Sequence, residues 1–64
     1  MFSVVTQTVD HREERRFRDK PEAMYYAIQR LTHYGGGADV AIESKGEIVF
    51  TPEDIRRTFQ VVRP

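Results

Sequence analysis

The chain has no cysteine, so no disulfide closes a loop and no thiolate can hold a structural zinc. His11 and His33 are the only soft ligands left, too few for a closed metal site. Long apolar runs are missing too: none approaches the roughly 20 residues that span a bilayer. The start, MFSVVTQTVDHREERR, lacks the basic stretch and apolar core of a secretory signal. These absences set the expectation of a cytoplasmic protein with no membrane segment. Net charge is absent as well, ten basic residues balancing ten acidic ones. A non-specific nucleic-acid binder is ordinarily basic overall. A disordered tail would carry a larger net charge or fewer apolar residues.

With 64 residues there is room for one domain, residues 1–64. A domain this small buries only about 60% of the surface that its unfolded chain exposes. Without a cross-link, the remaining sources of stability are efficient packing and self-association, so the partner expected is either another protein or a second copy of the chain in a homodimer. Arginine supplies eight of the ten positive charges. That suits bidentate contact with carboxylate or phosphate, although overall composition explains the bias as well.

Phe2 to Val9 is rich in β-branched residues and reads as a strand. After Asp10-His11-Arg12, the stretch Glu13 to Arg18 reads as its hairpin partner. A three-residue connection, preferred to a two-residue one that would align Phe17 with Thr6, places Phe17 opposite Val5 and Glu13 opposite Val9, with Val5, Val9 and Phe17 on one face. Asp19-Lys20-Pro21-Glu22 is a helix start, and the helix runs to about Tyr34 on a stripe of Met24, Ala27, Ile28 and Leu31. Gly35-Gly36-Gly37 supplies its C-cap and the connection onward. Ala38 to Glu43 alternates, with Val40 and Ile42 on one face. Ser44-Lys45-Gly46 then reads as a three-residue turn into Glu47 to Phe50, which sets Ile48 opposite Ile42 and Phe50 opposite Val40. Thr51-Pro52-Glu53-Asp54 opens a short helix to about Gln60 that presents Ile55 and Phe59. The fold class expected is α+β in the order β-β-α-β-β-α: a four-stranded antiparallel sheet, one long helix on one face, and a short C-terminal helix.

No residue set assembles a recognisable catalytic site. A phosphate loop needs glycines leading from strand into helix, whereas Gly35-Gly36-Gly37 leads from helix into strand. His11 falls in a turn and His33 in the last helical turn, with nothing to join them. Glu13 and Glu14, adjacent in a strand, point to opposite faces, and Glu53 and Asp54 sit where any first helical turn favours acids. No enzyme, cofactor or metal is therefore expected. Two surfaces stand out. Arg12, Arg15, Arg16 and Arg18 surround Phe17 and are candidate nucleic-acid contacts by phosphate attraction and stacking. Tyr25, next to Tyr26 on the helix, and the spare apolar side chains Val49, Val61 and Val62 are candidates for a protein interface.

The stretch RRFRDKPEAMYYAIQRL followed by GGGADVAIESKGEIVF resembles a kind of small bacterial ββαββ protein of uncharacterised function. In those proteins a hairpin precedes a helix of the form F-x-x-x-x-E-A-x-x-x-A, and a second hairpin turns at a glycine before an isoleucine. Phe17, Glu22, Ala23, Ala27, Gly46 and Ile48 match that form. The resemblance spans roughly residues 4–50 and implies the ββαββ core, with no activity attached. The leading expectation is a non-enzymatic protein-interaction module that can self-associate. The alternative is a weak nucleic-acid-binding domain using its arginine-bearing sheet face.

Overall fold

A computed structural model describes residues 1–35 and 37–62, the side chain of Val62 excepted. The expectations for Gly36 in the helix cap and for the Val62 side chain therefore lie outside the described residues. The element order is β1 (Phe2–Gln7), β2 (Arg12–Phe17), α1 (Lys20–His33), β3 (Asp39–Ser44), β4 (Glu47–Phe50) and α2 (Pro52–Val62). The four strands form one antiparallel sheet in the order β2-β1-β3-β4. This is the α+β architecture that the hydrophobic pattern calls for.

Alternation decides which face is covered. Val4 on β1 and Val40 and Ile42 on β3 share one buried cluster with Ala23, Ala27 and Leu31 of α1 and with Ile55 of α2. Both helices therefore cover the same face, α1 across β1 and β3, and α2 against α1, β3 and β4. The centre of the α1 stripe lies one position from the expected one. Ala23, Ala27 and Leu31 are fully buried, while Met24 and Ile28 pack at its margin. Two alanines at the centre let the helix backbone approach the sheet closely.

Local chemistry accounts for the boundaries. Asp19 is the N-cap of α1 in extended conformation, but its side chain makes no capping hydrogen bond. Only its carbonyl is used, accepting from the Ala23 amide at 3.1 Å. At the other end Gly35 takes φ 62°, the left-handed conformation that glycine adopts without penalty. The start of α2 is a reciprocal capping box. The Asp54 amide donates to Thr51 Oγ1 at 3.2 Å and the Thr51 amide donates to Asp54 Oδ2 at 3.0 Å. The expected helix carrying Ile55 and Phe59 is present and reaches Val62.

Both hairpins depart from the expected register. In the first, β1 ends at Gln7, and the Thr8 amide and hydroxyl donate to the His11 carbonyl at 2.8 and 3.2 Å. The connection has four residues, so Phe17 pairs with Phe2 and Val5 with Glu14. Val9 is fully exposed, and Val5 lies on the opposite face from Phe17. The polar Thr8 closes the turn before the apolar Val9 can extend the strand. In the second hairpin Ser44 pairs with Glu47, leaving Lys45 and Gly46 as a two-residue turn with φ 54° and 79°. Positive φ at both positions matches a type I′ turn, whose twist suits the strands. Phe50 still reaches the core face opposite Ile42, because a bulge beside Ile42 and Glu43 absorbs one residue of β4. Ile48 pairs with Glu43 instead and remains exposed.

Candidate functional site: the uncovered sheet face

The face of the sheet away from the helices is organised in rows across the strands. Ser3 on β1 has Arg16 on one side and Glu43 on the other. Val5 lies between Glu14 and Ala41, and Gln7 between Arg12 and Asp39. Ile48 continues the first row onto β4. Charges of opposite sign are thus sorted by strand: Arg12 and Arg16 on β2, Asp39 and Glu43 on β3, with the uncharged Ser3, Val5 and Gln7 between them. Only Glu14 interrupts the basic strand, at 4.0 Å from Arg12. With strands about 4.8 Å apart, the two charged stripes are separated by roughly 10 Å.

The side chains of Arg16 and Glu43 form no hydrogen bond or ion pair among the described residues. They line a shallow depression of about 500 Å³ over Ser3, whose rim includes Met1 and Lys45. Asp39, by contrast, is engaged. The Arg56 guanidinium on α2 donates to the Ala38 carbonyl at 2.9 Å and reaches Asp39 at 3.3 Å, tying α2 to the end of β3.

The four candidate arginines do not form one patch. Arg15 faces the helices, its guanidinium 5.2 Å from the Tyr26 ring and 5.8 Å from the Phe17 ring. Arg12 belongs to β2 rather than to the turn and shares the uncovered face with Arg16. Arg18 lies beyond the end of β2 and is exposed. The neighbours of Arg15 form a network that pins edge strand β2 to α1. Tyr26 donates its hydroxyl to Glu13 at 2.8 Å, and Arg30 Nε lies 3.3 Å from the same carboxylate oxygen. That approach is an ion pair without hydrogen-bond geometry, since Arg30 Nε has no partner that it is aimed at. Arg30 also donates to the Tyr34 hydroxyl at 3.0 Å. Partial burial and the Glu13 hydrogen bond together raise the Tyr26 pKa above its ordinary value.

The candidate protein-contact residues are dispersed too. Tyr25 is 68% exposed and lines an open groove of about 340 Å³ with Phe17, Pro21 and Tyr26. Val49 is exposed at the bulge of β4, and Val61 is exposed on α2. Among the described residues no three His, Asp or Glu side chains are grouped to hold a metal ion, and no helix is long and apolar enough to cross a membrane.

Sequence reasoning misses the acidic half of the face. Asp39 and Glu43 are legible as the polar side of β3. What is not legible is the strand order that sets them beside the arginines of β2, since that order depends on β1 pairing with both neighbours. Comparison with family models, curated proteins and solved structures returns no match for this chain.

Proposed function

We propose that the chain is a non-enzymatic protein-interaction module that docks through the uncovered face of its sheet. The observation that carries this reading is the sorting of charge on that face, basic on β2 and acidic on β3 across a neutral β1. Such a surface favours a partner that offers both signs in a fixed arrangement, as a folded protein does. A nucleic-acid backbone offers one sign only. Any phosphate approaching Arg12 or Arg16 also meets Glu14 between them and the acids of β3 roughly 10 Å away. Arg15 is turned to the other face, and no aromatic side chain accompanies Arg12 and Arg16 to stack bases.

A photo-crosslinking amino acid in place of Gln7, which is exposed on this face, tests the reading. The same residue in place of Glu53, exposed on α2, serves as control. Adducts formed in an extract of the source cells are identified by mass spectrometry. An adduct at position 7 to an identified protein, this chain included, that is absent at position 53 supports it. A nucleic-acid adduct, or equal labelling at both positions, overturns it.

A further inference from the structure

Resting on that reading, we infer that the occupant of the uncovered face is a second copy of this chain, bound about a two-fold axis that runs along β1. The argument is geometric. Rotation by half a turn about an axis parallel to the strands and above β1 exchanges the two flanks of the sheet without moving residues along the strands. It sets β2 of one copy over β3 of the other, each row over its own equivalent. Arg16 then faces Glu43 of the second copy, and Glu43 faces Arg16, because both occupy the row of Ser3. Val5, only 9% exposed between Glu14 and Ala41, lies at the centre beneath the axis. Arg12 faces Asp39 in the row of Gln7; that pair contributes less, since Asp39 already holds Arg56. Two equivalent contacts from one matched pair of residues are what an isologous interface requires. Packed antiparallel sheets take a relative rotation of about 30° from their twist, within the reach of arginine and glutamate side chains.

An axis across the strands through the row of Val5 sets Arg16 over Arg12 and Glu43 over Asp39, like against like. An axis above β2 or β3 sets a charged stripe against its own copy, arginine over arginine or acid over acid. The face is small: four strands about 4.8 Å apart and rising about 3.4 Å per residue present only a few hundred Å², well under the roughly 800 Å² per partner of a standard interface. Association is therefore weak and salt-sensitive, with Kd on the order of 100 μM.

The test uses charge exchange. Sedimentation equilibrium at protein concentrations up to about 1 mM, roughly ten times that Kd, compares the wild-type chain with R16E, E43R and the double variant R16E/E43R. Each single variant places two like-charged pairs in the interface and weakens dimerisation by about tenfold. The double variant restores it. So does an equimolar mixture of R16E with E43R, because both contacts of that heterodimer join an acidic side chain of the R16E chain to a basic one of the E43R chain. A folding defect in either variant cannot be repaired by mixing, so recovery in the mixture identifies the pairing itself. A monomeric wild-type chain at the highest concentration overturns the inference, as does a mixture no better associated than its components. Neither result touches the docking reading if position 7 still crosslinks to a different protein.

Discussion

The hydroxyl of Tyr26 donates to the carboxylate of Glu13 at 2.8 Å, joining α1 to a strand that has only one neighbour in the sheet. Replacing Tyr26 with Phe keeps the ring that packs 5.1 Å from Phe17 and removes only that bond. Urea unfolding near neutral pH should register a loss of about 0.5–1.5 kcal/mol. A loss below about 0.3 kcal/mol would mean that the ring contacts alone hold β2.

The same contact has a signature at high pH. Partial burial and the Glu13 hydrogen bond favour the protonated phenol, so the folded pKa of Tyr26 lies above its unfolded value near 10. The sign follows from that direction. The stabilisation is fully present below the unfolded pKa and is lost as pH rises through the folded one. Absorbance titration should show a late-ionising component from Tyr26 that the Tyr26→Phe chain lacks. The stability gap between wild type and Tyr26→Phe should narrow from about pH 10 upward.

Ile55 is fully buried in the cluster shared by α1 and the sheet, so α2 is part of the fold rather than an appendage. Truncation of Ile55 to Ala should cost about 2–4 kcal/mol. Domains of this size have only about 5 kcal/mol to lose, so thermal unfolding should begin near ambient temperature. A small shift in the midpoint would show that α2 undocks without consequence for the rest.

At the start of α2, Asp54 accepts from the Thr51 amide and hydrogen-bonds with its side chain, and these contacts hold its carboxyl below the ordinary range. A depressed pKa contributes stability above the unfolded value, near 3.8, that disappears as pH falls through the folded value. Asp54→Asn should flatten the acid limb of the stability profile relative to wild type. Thr51→Ala should cost about 1 kcal/mol at neutral pH, as caps do. An unchanged acid limb in Asp54→Asn would count against the box.

The type I′ turn provides a pair of opposite outcomes. Lys45 has φ 54° without being glycine, and Asn tolerates that region better, so Lys45→Asn should stabilise by about 0.5 kcal/mol. Gly46 has φ 79°, and a Cβ there would meet nothing within 4 Å. Gly46→Ala should nevertheless destabilise by about 1–2 kcal/mol, because the strain is in the backbone. Melting curves of the two variants should bracket wild type.

What is legible in the sequence divides along physical lines. Element types and order follow from alternation, caps and the glycine stop, all local, and Val40, Ile42, Ala27, Leu31 and Ile55 are buried as their spacing requires. Register departs from expectation in both hairpins because it depends on where a turn closes. Thr8 offers the His11 carbonyl two donors, and that competition is invisible to a count of β-branched residues. The bulge in β4 then restores Phe50 to the core and leaves Ile48 outside, which no strict two-residue period predicts. Of the candidate site, the basic strand is readable and its acidic counterpart is not, since Asp39 and Glu43 approach Arg12 and Arg16 only through the pairings of β1. Alternation already sets Arg15 on the face of Phe17, but its approach to the Tyr26 ring is not legible, since it depends on α1 packing across that face.

The bulge on β4 also bears on how copies of this chain can accumulate. A regular edge would let one sheet add to the next, and the product of such addition has no natural end: it grows into a filament. Here one edge is interrupted after two paired residues, Glu47 and Ile48, and the other bears Arg12, Glu13, Glu14, Arg15 and Arg16 in succession. Both are poor templates for another strand. Assembly is thereby steered away from the open-ended route, so that a crowded solution of this protein should stay clear where a flat-edged sheet of the same size would gel.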